Sequence, residues 1–282
     1  MPLLLHGFTD HRINTGEIEI GYSVGPDNGP TLLLLHGATS RRDGFMNVVE
    51  PLSKNHRIVT MDQRGHGYSG HTPGHYQRED HVRDIKFILD NVCKEPSILW
   101  GHSMGGGNAA STTADHPDLV TALVLEDAGM RRRTGNPSSN NTTTASVFRQ
   151  HLELIDSGLS LEQLTEKVRE MSPGQPDYYA GWKAECLLQL DTEIIRNSVS
   201  GAPRGGDDPA DILARINVPV LFMQADPASG GSNTDEYVAE ILPKRDNFTL
   251  KKIVGAGHNI NREHTELLLP VVLPWLESLQ QA

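Results

Sequence analysis

The sequence predicts an α/β fold in which a mostly parallel sheet carries helices on both faces. Thr31–Leu35 is a continuous apolar run, which is typical of a strand buried on both faces. Beyond it, strand-like apolar runs alternate with helix-like stretches at the spacing of β-α-β units. A chain of 282 residues can form one such core with an insertion.

Local patterns predict the individual elements. The alternation over 18–24 indicates a half-exposed antiparallel strand, and a Pro/Gly-rich turn at 26–30 follows it. Helical periodicity is found at 41–54, 77–94 and 263–279. The later strand-like runs are Arg57–Met61, Ser97–Trp100, Ala122–Leu125, Val218–Gln224 and Asn247–Val254.

The alternation is interrupted in the middle of the chain. Residues 130–146 are basic at Arg131–Arg133 and then polar, which predicts a loop with a solvated face. No strand pattern is found among the three helical stretches that follow, 146–157, 160–171 and 177–199. We therefore expect a core domain formed by 1–129 and 209–282, and a helical cap formed by 130–208.

Composition narrows the possible partners. A formal net charge of −11 argues against nucleic acid and anionic membrane surfaces. Cys93 and Cys186 are too few for a disulfide framework and have no CxxC neighbour, so two reduced, buried thiols are expected. No His/Asp/Glu cluster has metal-ligand spacing, and no metal or other cofactor is expected. Without a basic leader or a membrane-length apolar run, the sequence predicts a cytoplasmic protein.

The stretch Gly101-His102-Ser103-Met104-Gly105 matches the G-x-S-x-G pattern. A strand-like tetrad precedes it and a helix of small residues follows, which is the context that a nucleophile elbow requires. Such a strained turn would present the Ser103 hydroxyl to a cleft. The Met104 N–H, at the start of the helix, could bind an oxyanion.

With this elbow the sequence resembles the α/β-hydrolase family. The resemblance covers nearly the whole chain and implies the α/β-hydrolase fold: an eight-stranded, mostly parallel sheet with helices on both faces and a helical cap inserted after the sixth strand. It rests on four stretches in the family's order, namely Leu35-His36-Gly37, Asp62-x-Arg64-Gly65-x-Gly67-x-Ser69, Gly101–Gly105 and Gly255-Ala256-Gly257-His258-Asn259.

The resemblance implies roles for individual residues. Ser103 is the nucleophile, and His258, in a glycine-flanked loop after the last strand, is the base that a serine hydroxyl requires. The backbone N–H groups of Ala38 and Met104 form the oxyanion hole.

Two carboxylates are candidates for the acid that orients His258. The family usually places this acid after the seventh strand, commonly as Gly-x-x-Asp, but the turn here reads Gln224-Ala225-Asp226-Pro227-Ala228 and Asp226 lies two residues early. A subset that includes haloalkane dehalogenases and zearalenone-type lactonases places the acid after the sixth strand, where Asp127 lies. We favour Asp127 and keep Asp226 as the alternative.

The stretch Leu-Leu-Leu-His-Gly occurs twice, at 3–7 and 33–37. Only the second follows the strand–turn region that the fold requires, so its turn is expected to present the Ala38 amide to Ser103. The first is expected in a peripheral N-terminal segment. A structural role is expected for the other motif histidines, His6, His36, His66, His102 and His264, and an ion pair for Asp62 and Arg64.

The predicted reaction is acyl transfer to water, with a small-molecule carboxylic ester or lactone as substrate and an acyl-enzyme on Ser103. Amide, thioester and C–C bond hydrolysis and cofactor-free perhydrolysis use the same groups and remain open. A ligand-sensing protein that keeps this fold, as some plant hormone receptors do, is the alternative from another class.

Overall fold

The computed structural model describes residues 7–130 and 143–280. Within these ranges, eight strands form one sheet: β1 (Thr9–Asn14), β2 (Glu19–Val24), β3 (Thr31–Leu35), β4 (Arg57–Met61), β5 (Ser97–His102), β6 (Val120–Glu126), β7 (Val220–Ala225) and β8 (Phe248–Ile253). Their spatial order is β1-β2-β4-β3-β5-β6-β7-β8. The pairs β1–β2 and β2–β4 are antiparallel, and every other neighbouring pair is parallel. The predicted fold class is confirmed.

The α-helices of the described ranges are α1 (Met46–Leu52), α2 (Arg78–Ile88), α3 (Met104–Asp115), α4 (Thr143–Asp156), α5 (Leu161–Met171), α6 (Asp177–Leu188), α7 (Glu193–Ser200), α8 (Pro209–Ala214), α9 (Asp235–Ile241), α10 (Ile260–Glu263) and α11 (Thr265–Leu279). The predicted helix 41–54 begins with a 3-10 turn at Arg42–Phe45, and the predicted helix 77–94 ends in a π-helical turn at Leu89–Cys93. Helix α9 was not predicted from the sequence.

Helices cover both faces of the sheet, which explains why β3 is apolar at every position. Leu33 and Leu35 pack in the core on the side of α2, α3 and α8. Leu32 and Leu34 pack in the second core, with α1, α10 and α11. Successive side chains of a strand point to opposite faces, so a strand buried on both sides must be apolar throughout.

Four helices, α4 to α7, lie between β6 and α8. The predicted single helix over 177–199 is wrong, because Gln189–Thr192 separates α6 from α7. The Asp191 N–H donates to Gly65 O (2.8 Å), and Tyr76 donates its hydroxyl hydrogen to the Asp191 carboxylate (2.6 Å). The same carboxylate accepts the Glu193 N–H (3.0 Å), so contacts with the core end one helix and begin the next.

The N-terminal part of the described chain forms an edge strand that the sequence patterns did not predict. All residues of β1 except Ile13 are polar and exposed, so the strand lacks the alternation that indicates a half-buried strand. Gly7 precedes β1, while residues 3–6 of the first Leu-Leu-Leu-His-Gly copy lie outside the described residues, as do Arg131–Arg133.

Three further observations bear on the expectations from composition. Cys93 and Cys186 are free and buried, which confirms the prediction of two unpaired thiols. Over 7–130 and 143–280, no helix has the length and apolar character needed to cross a membrane. The same ranges contain no group of three or more His, Cys, Asp or Glu residues placed to hold a metal ion.

Candidate active site

Ser103 occupies a strained turn between β5 and α3. Its φ of 53° and ψ of −117° are rarely adopted by residues other than glycine, and such strain persists only where the surrounding structure enforces it. A Cβ atom at Gly101 would lie 2.3 Å from Gly105 O, and one at Gly105 would lie 2.2 Å from Leu35 O. The two glycines of the pattern therefore allow the backbone to close this turn.

The structure brings Ser103, His258 and Asp127 together in one hydrogen-bonded chain. The Ser103 Oγ lies 3.0 Å from His258 Nε2, and His258 Nδ1 lies 2.6 Å from Asp127 Oδ2. A carboxylate can only accept, so Nδ1 carries the hydrogen and Nε2 is the nitrogen that can accept the Ser103 proton.

Asp127 follows β6 directly and is fully buried, with a φ of 38°. Its Oδ2 accepts the Ser232 N–H (2.7 Å), and its Oδ1 accepts the side-chain amide of Asn233 (3.0 Å). Burial favours the neutral acid, but these hydrogen bonds and the bond and charge of His258 outweigh it and lower the pKa of Asp127. The carboxylate is therefore ionised at neutral pH.

Asp226, the alternative acid, contacts the backbone of the histidine loop. Its carboxylate accepts the N–H groups of Gly255 (3.0 Å) and Ala228 (3.1 Å), which lower its pKa. Its own N–H donates to Ala256 O (2.8 Å). No hydrogen bond joins Asp226 to the imidazole of His258, so its contacts support the loop that carries the ring.

The two predicted oxyanion-hole amides lie beside Ser103. A Cβ atom at Gly37 would be 3.0 Å from Ser103 Cβ, which shows how closely the turn after β3 approaches the elbow. Ala38 follows in that turn, and Met104 begins α3. Neither N–H is donated to an acceptor in the described part of the chain, so both remain available to a ligand oxygen.

A buried polar network holds the turn after β3. His36 Nε2 accepts the Gln63 N–H (3.0 Å), and its Nδ1 donates to Gly37 O (2.8 Å). The Gln63 side chain donates to His36 O (2.5 Å) and accepts from Asn108 (2.7 Å). Burial lowers the pKa of His36 to about 4, so the ring is neutral, and its two nitrogens bind backbone groups.

The other histidines that were expected to be structural also lie outside the triad. His102 and His66 contact backbone oxygens, and His264 lies near a carboxylate. His102 Nε2 donates to His258 O (2.9 Å) and so holds the loop of the candidate base. His66 Nδ1 lies 3.0 Å from Arg64 O, and His264 Nδ1 lies 3.8 Å from Glu266. His6 lies outside the described residues.

The predicted ion pair between Asp62 and Arg64 is wrong. Asp62 pairs with Arg42 and also accepts the Tyr68 N–H (2.9 Å), while Arg64 makes two bonds to Asp84 (2.7 and 2.8 Å). Although the two residues are only two positions apart, each side chain pairs with an oppositely charged residue from a different part of the chain.

The sequence patterns missed Ser232. Its Oγ lies 2.7 Å from His258 Nδ1 and 3.5 Å from Thr144 Oγ1 of α4, while its N–H binds Asp127. It lies in the turn after β7, where the family usually has its acid, and that position is the signal that could have identified it. Ser232 therefore contacts the imidazole of His258, the carboxylate of Asp127 and helix α4.

Replacing Ser232 with alanine is expected to lower kcat about 3- to 10-fold, because one hydrogen bond to the imidazole is lost while the backbone N–H to Asp127 remains. Ser229→Ala, at an exposed position of the same turn, is the matched control. Equal kcat values for Ser232→Ala and Ser229→Ala would exclude a positioning role of Ser232.

An apolar cluster joins the elbow to the helices α4 and α7. The side chain of Ala38 packs against it. The cluster is formed by six buried residues, Tyr76, Met104, Phe148, Leu190, Ile194 and Ile195. Helices α4 and α7 therefore pack against the elbow through this cluster, next to the residues that carry the two amides.

The chain belongs to the alpha/beta hydrolase fold family. The family's model matches residues 30–265, which confirms the family predicted from the four sequence stretches. The fold, the elbow and the position of the helices between β6 and β7 agree with this membership.

Individual proteins resemble the chain at moderate identity. The 2-(acetamidomethylene)succinate hydrolase of Mesorhizobium japonicum is 32% identical over 120 residues, a match that covers 43% of each chain. The sn-1-specific diacylglycerol lipase ABHD11 of Xenopus tropicalis is 24% identical, over 96% of this chain and 86% of the lipase.

Solved structures share the fold. The N-formylmaleamic acid deformylase of Pseudomonas putida S16 superposes with a TM-score of 0.78 at 21% identity, covering 94% of this chain and all of that chain. The enol-lactonase of Burkholderia xenovorans LB400 has a TM-score of 0.73 at 20% identity, covering 95% and 100%.

Proposed function

We propose that this protein is a serine hydrolase that cleaves a carboxylic ester or lactone through an acyl-enzyme on Ser103. The observation that carries the proposal is the chain from Asp127 to His258 Nδ1 (2.6 Å) and from His258 Nε2 to Ser103 Oγ (3.0 Å). The base lies within hydrogen-bond reach of both the nucleophile and the orienting acid, which is the arrangement that activates a serine hydroxyl.

Acylation follows from this geometry. His258 Nε2 takes the hydroxyl proton as Ser103 Oγ attacks the carbonyl carbon, and the negative charge moves to the carbonyl oxygen. The N–H groups of Ala38 and Met104 would stabilise that oxyanion. The Met104 N–H lies at the N-terminus of α3, the positive end of the helix dipole, which adds to this stabilisation. When the C–O bond breaks, the imidazolium returns its proton to the leaving alcohol, while Asp127 stabilises the positive ring.

Deacylation repeats these steps with water. His258 takes a proton from a water molecule that attacks the acyl carbon, and the same amides hold the second oxyanion. The ester bond to Ser103 then breaks, Oγ regains its proton from His258, and the carboxylic acid leaves. Lactones differ only in that the alcohol remains attached to the acyl group.

We also propose that residues 130–208 form a single cap that covers the bound substrate. Helices α4 and α7 contribute Phe148 and Ile194 to the cluster above Ala38 and Met104, so a small, partly apolar substrate would lie between the elbow and these helices. A cytoplasmic location is part of the same proposal.

A panel of purified-enzyme assays tests the reaction class. We expect steady turnover of p-nitrophenyl butyrate and of a γ-lactone, and slower turnover of a matched anilide, thioester and β-diketone. Preferred cleavage of the anilide or the diketone would replace the ester proposal by amide or C–C bond hydrolysis on the same groups. A single slow turnover with retained product would favour the ligand-sensing alternative.

A further inference from the structure

Lys183 of α6 is a buried cation beside the oxyanion turn. It is 6% exposed, and its Nζ donates to both the carbonyl oxygen and the hydroxyl of Thr39, each at 2.7 Å. An ammonium group has three donors, and no third protein acceptor is present in 7–130 or 143–280.

Lys183 also lacks a carboxylate partner within the described residues. Arg41, buried nearby, pairs with Asp43 (3.0 Å) and Glu185 (2.9 Å). The charge of Glu263 acts on Lys183, but Glu263 already binds Arg262 (3.2 Å). Removing an unpaired ammonium group from water is costly, and burial lowers the pKa of Lys183 to about 7. A ligand anion would remove this cost.

The position of Lys183 places such an anion close to the reacting carbonyl. Thr39 directly follows Ala38, and two residues of chain span about 7 Å at most. With the 2.7 Å bond to Thr39 O, the ammonium nitrogen lies within roughly 10 Å of the Ala38 amide. That separation suits a carboxylate a few bonds away from the carbonyl that Ser103 attacks.

Two further buried nitrogens near Lys183, His151 Nδ1 and Arg262 Nε, have no hydrogen-bond partner among the residues that the structure describes. Burial, and then the charge of Lys183, lower the pKa of His151 to about 2, so that ring is neutral. His151 lies beside Phe148 (ring centroids 6.5 Å apart), which packs in the cluster above the elbow. Within 7–130 and 143–280, the nitrogens near Lys183 therefore include two without a hydrogen-bond partner, whereas the nearby carboxylates already bind other residues.

We infer that the substrate carries a second, free carboxylate, and that Lys183 binds it. The inference rests on the function proposed above and narrows the substrate class to half-esters or lactones of dicarboxylic acids. The carboxylate would accept the third N–H of Lys183 and pair with its charge, while the ester carbonyl lies at the amides of Ala38 and Met104.

Matched ester pairs test this inference. We expect the wild-type protein to show a kcat/KM for monoethyl succinate, glutarate or adipate at least 10-fold above that for the corresponding diethyl ester. In Lys183→Met this ratio should fall about 10- to 100-fold, the loss expected for a hydrogen bond to a charged group. Lys183→Arg, which keeps the charge, should retain part of the ratio.

Lys167→Met is the matched control, because it removes a cap lysine that is exposed and paired with Glu170. Its mono- to diester ratio should equal that of the wild type. As a measurement independent of turnover and of the variants, glutarate should protect Ser103 of the wild type from fluorophosphonate labelling at concentrations where glutaramide does not.

Equal losses for mono- and diesters in Lys183→Met would show that Lys183 only holds Thr39, and would overturn the inference while leaving the serine hydrolase intact. Equal protection by glutarate and glutaramide would overturn it even if Lys183→Met failed to fold. Failure of the proposed function has a different signature, in which Ser103 is unlabelled by fluorophosphonate and neither ester of any pair is cleaved.

Discussion

Ser103→Ala is expected to lower kcat toward p-nitrophenyl butyrate by roughly five to six orders of magnitude, the loss measured when a triad serine is removed. Without Oγ no acyl-enzyme can form, and His258 has no proton to accept from the elbow. The covalent adduct with a fluorophosphonate probe, read by mass spectrometry, should disappear in the same variant. A labelled, active Ser103→Ala protein would place the nucleophile elsewhere.

Ser103→Gly provides the control for this result. It removes the same hydroxyl, so activity and labelling should be lost equally. Because a φ of 53° with a ψ of −117° strains any side chain, the glycine variant should gain about 1 kcal/mol in the free energy of unfolding relative to Ser103→Ala. Chemical denaturation measures this gain, and its absence would show that the turn is not strained.

Asp127→Asn is expected to lower kcat about 10,000-fold with the fold intact, as when the acid of a serine triad is replaced by its amide. The asparagine side chain can present an N–H to His258 Nδ1, which stabilises the wrong tautomer and leaves the imidazolium uncompensated. Circular dichroism and thermal unfolding establish that the variant folds, and steady-state kinetics measure the loss.

Asp226→Asn is the matched control, since it makes the same change in the neighbouring turn. Its carboxylate binds the N–H groups of Gly255 and Ala228 and not the ring, so kcat should stay within a few-fold of wild type. The free energy of unfolding should fall slightly, because the amide of asparagine can replace only one of the two oxygens that accept these N–H groups. A large loss of kcat in Asp226→Asn with none in Asp127→Asn would reverse the assignment of the acid.

Much of the fold could be predicted because its signals are local. A strand buried on both faces must be apolar at every position, so β3 and β4 were predicted at the ranges the structure shows. Where the pattern was weak, the prediction failed. Strand β1 has a single apolar residue, Ile13, and the break between α6 and α7 is caused by contacts of Asp191 with distant parts of the core.

The candidate site, like the fold, could be predicted from the sequence only where its signals are local. Ser103 could be proposed from the elbow pattern, whose geometry is imposed by immediate neighbours such as Gly101 and Gly105. The sequence favoured Asp127 but left Asp226 open as the alternative acid, because both follow strands whose ends lie at the same edge of the sheet. Only the packing of the loop after β8 shows which carboxylate meets the imidazole.

Sequence alone therefore determined the fold class, the family and the turn that holds Ser103, since each depends on residues close together in the chain. Tertiary structure decided what depends on distant residues: the contact of Asp127 with His258 across 131 positions, the hydroxyl of Ser232 on the same ring, and Lys183 beside Thr39. Hydrogen bonds act over about 3 Å, and separation along the chain does not determine such distances until the sheet and the helices around it have packed.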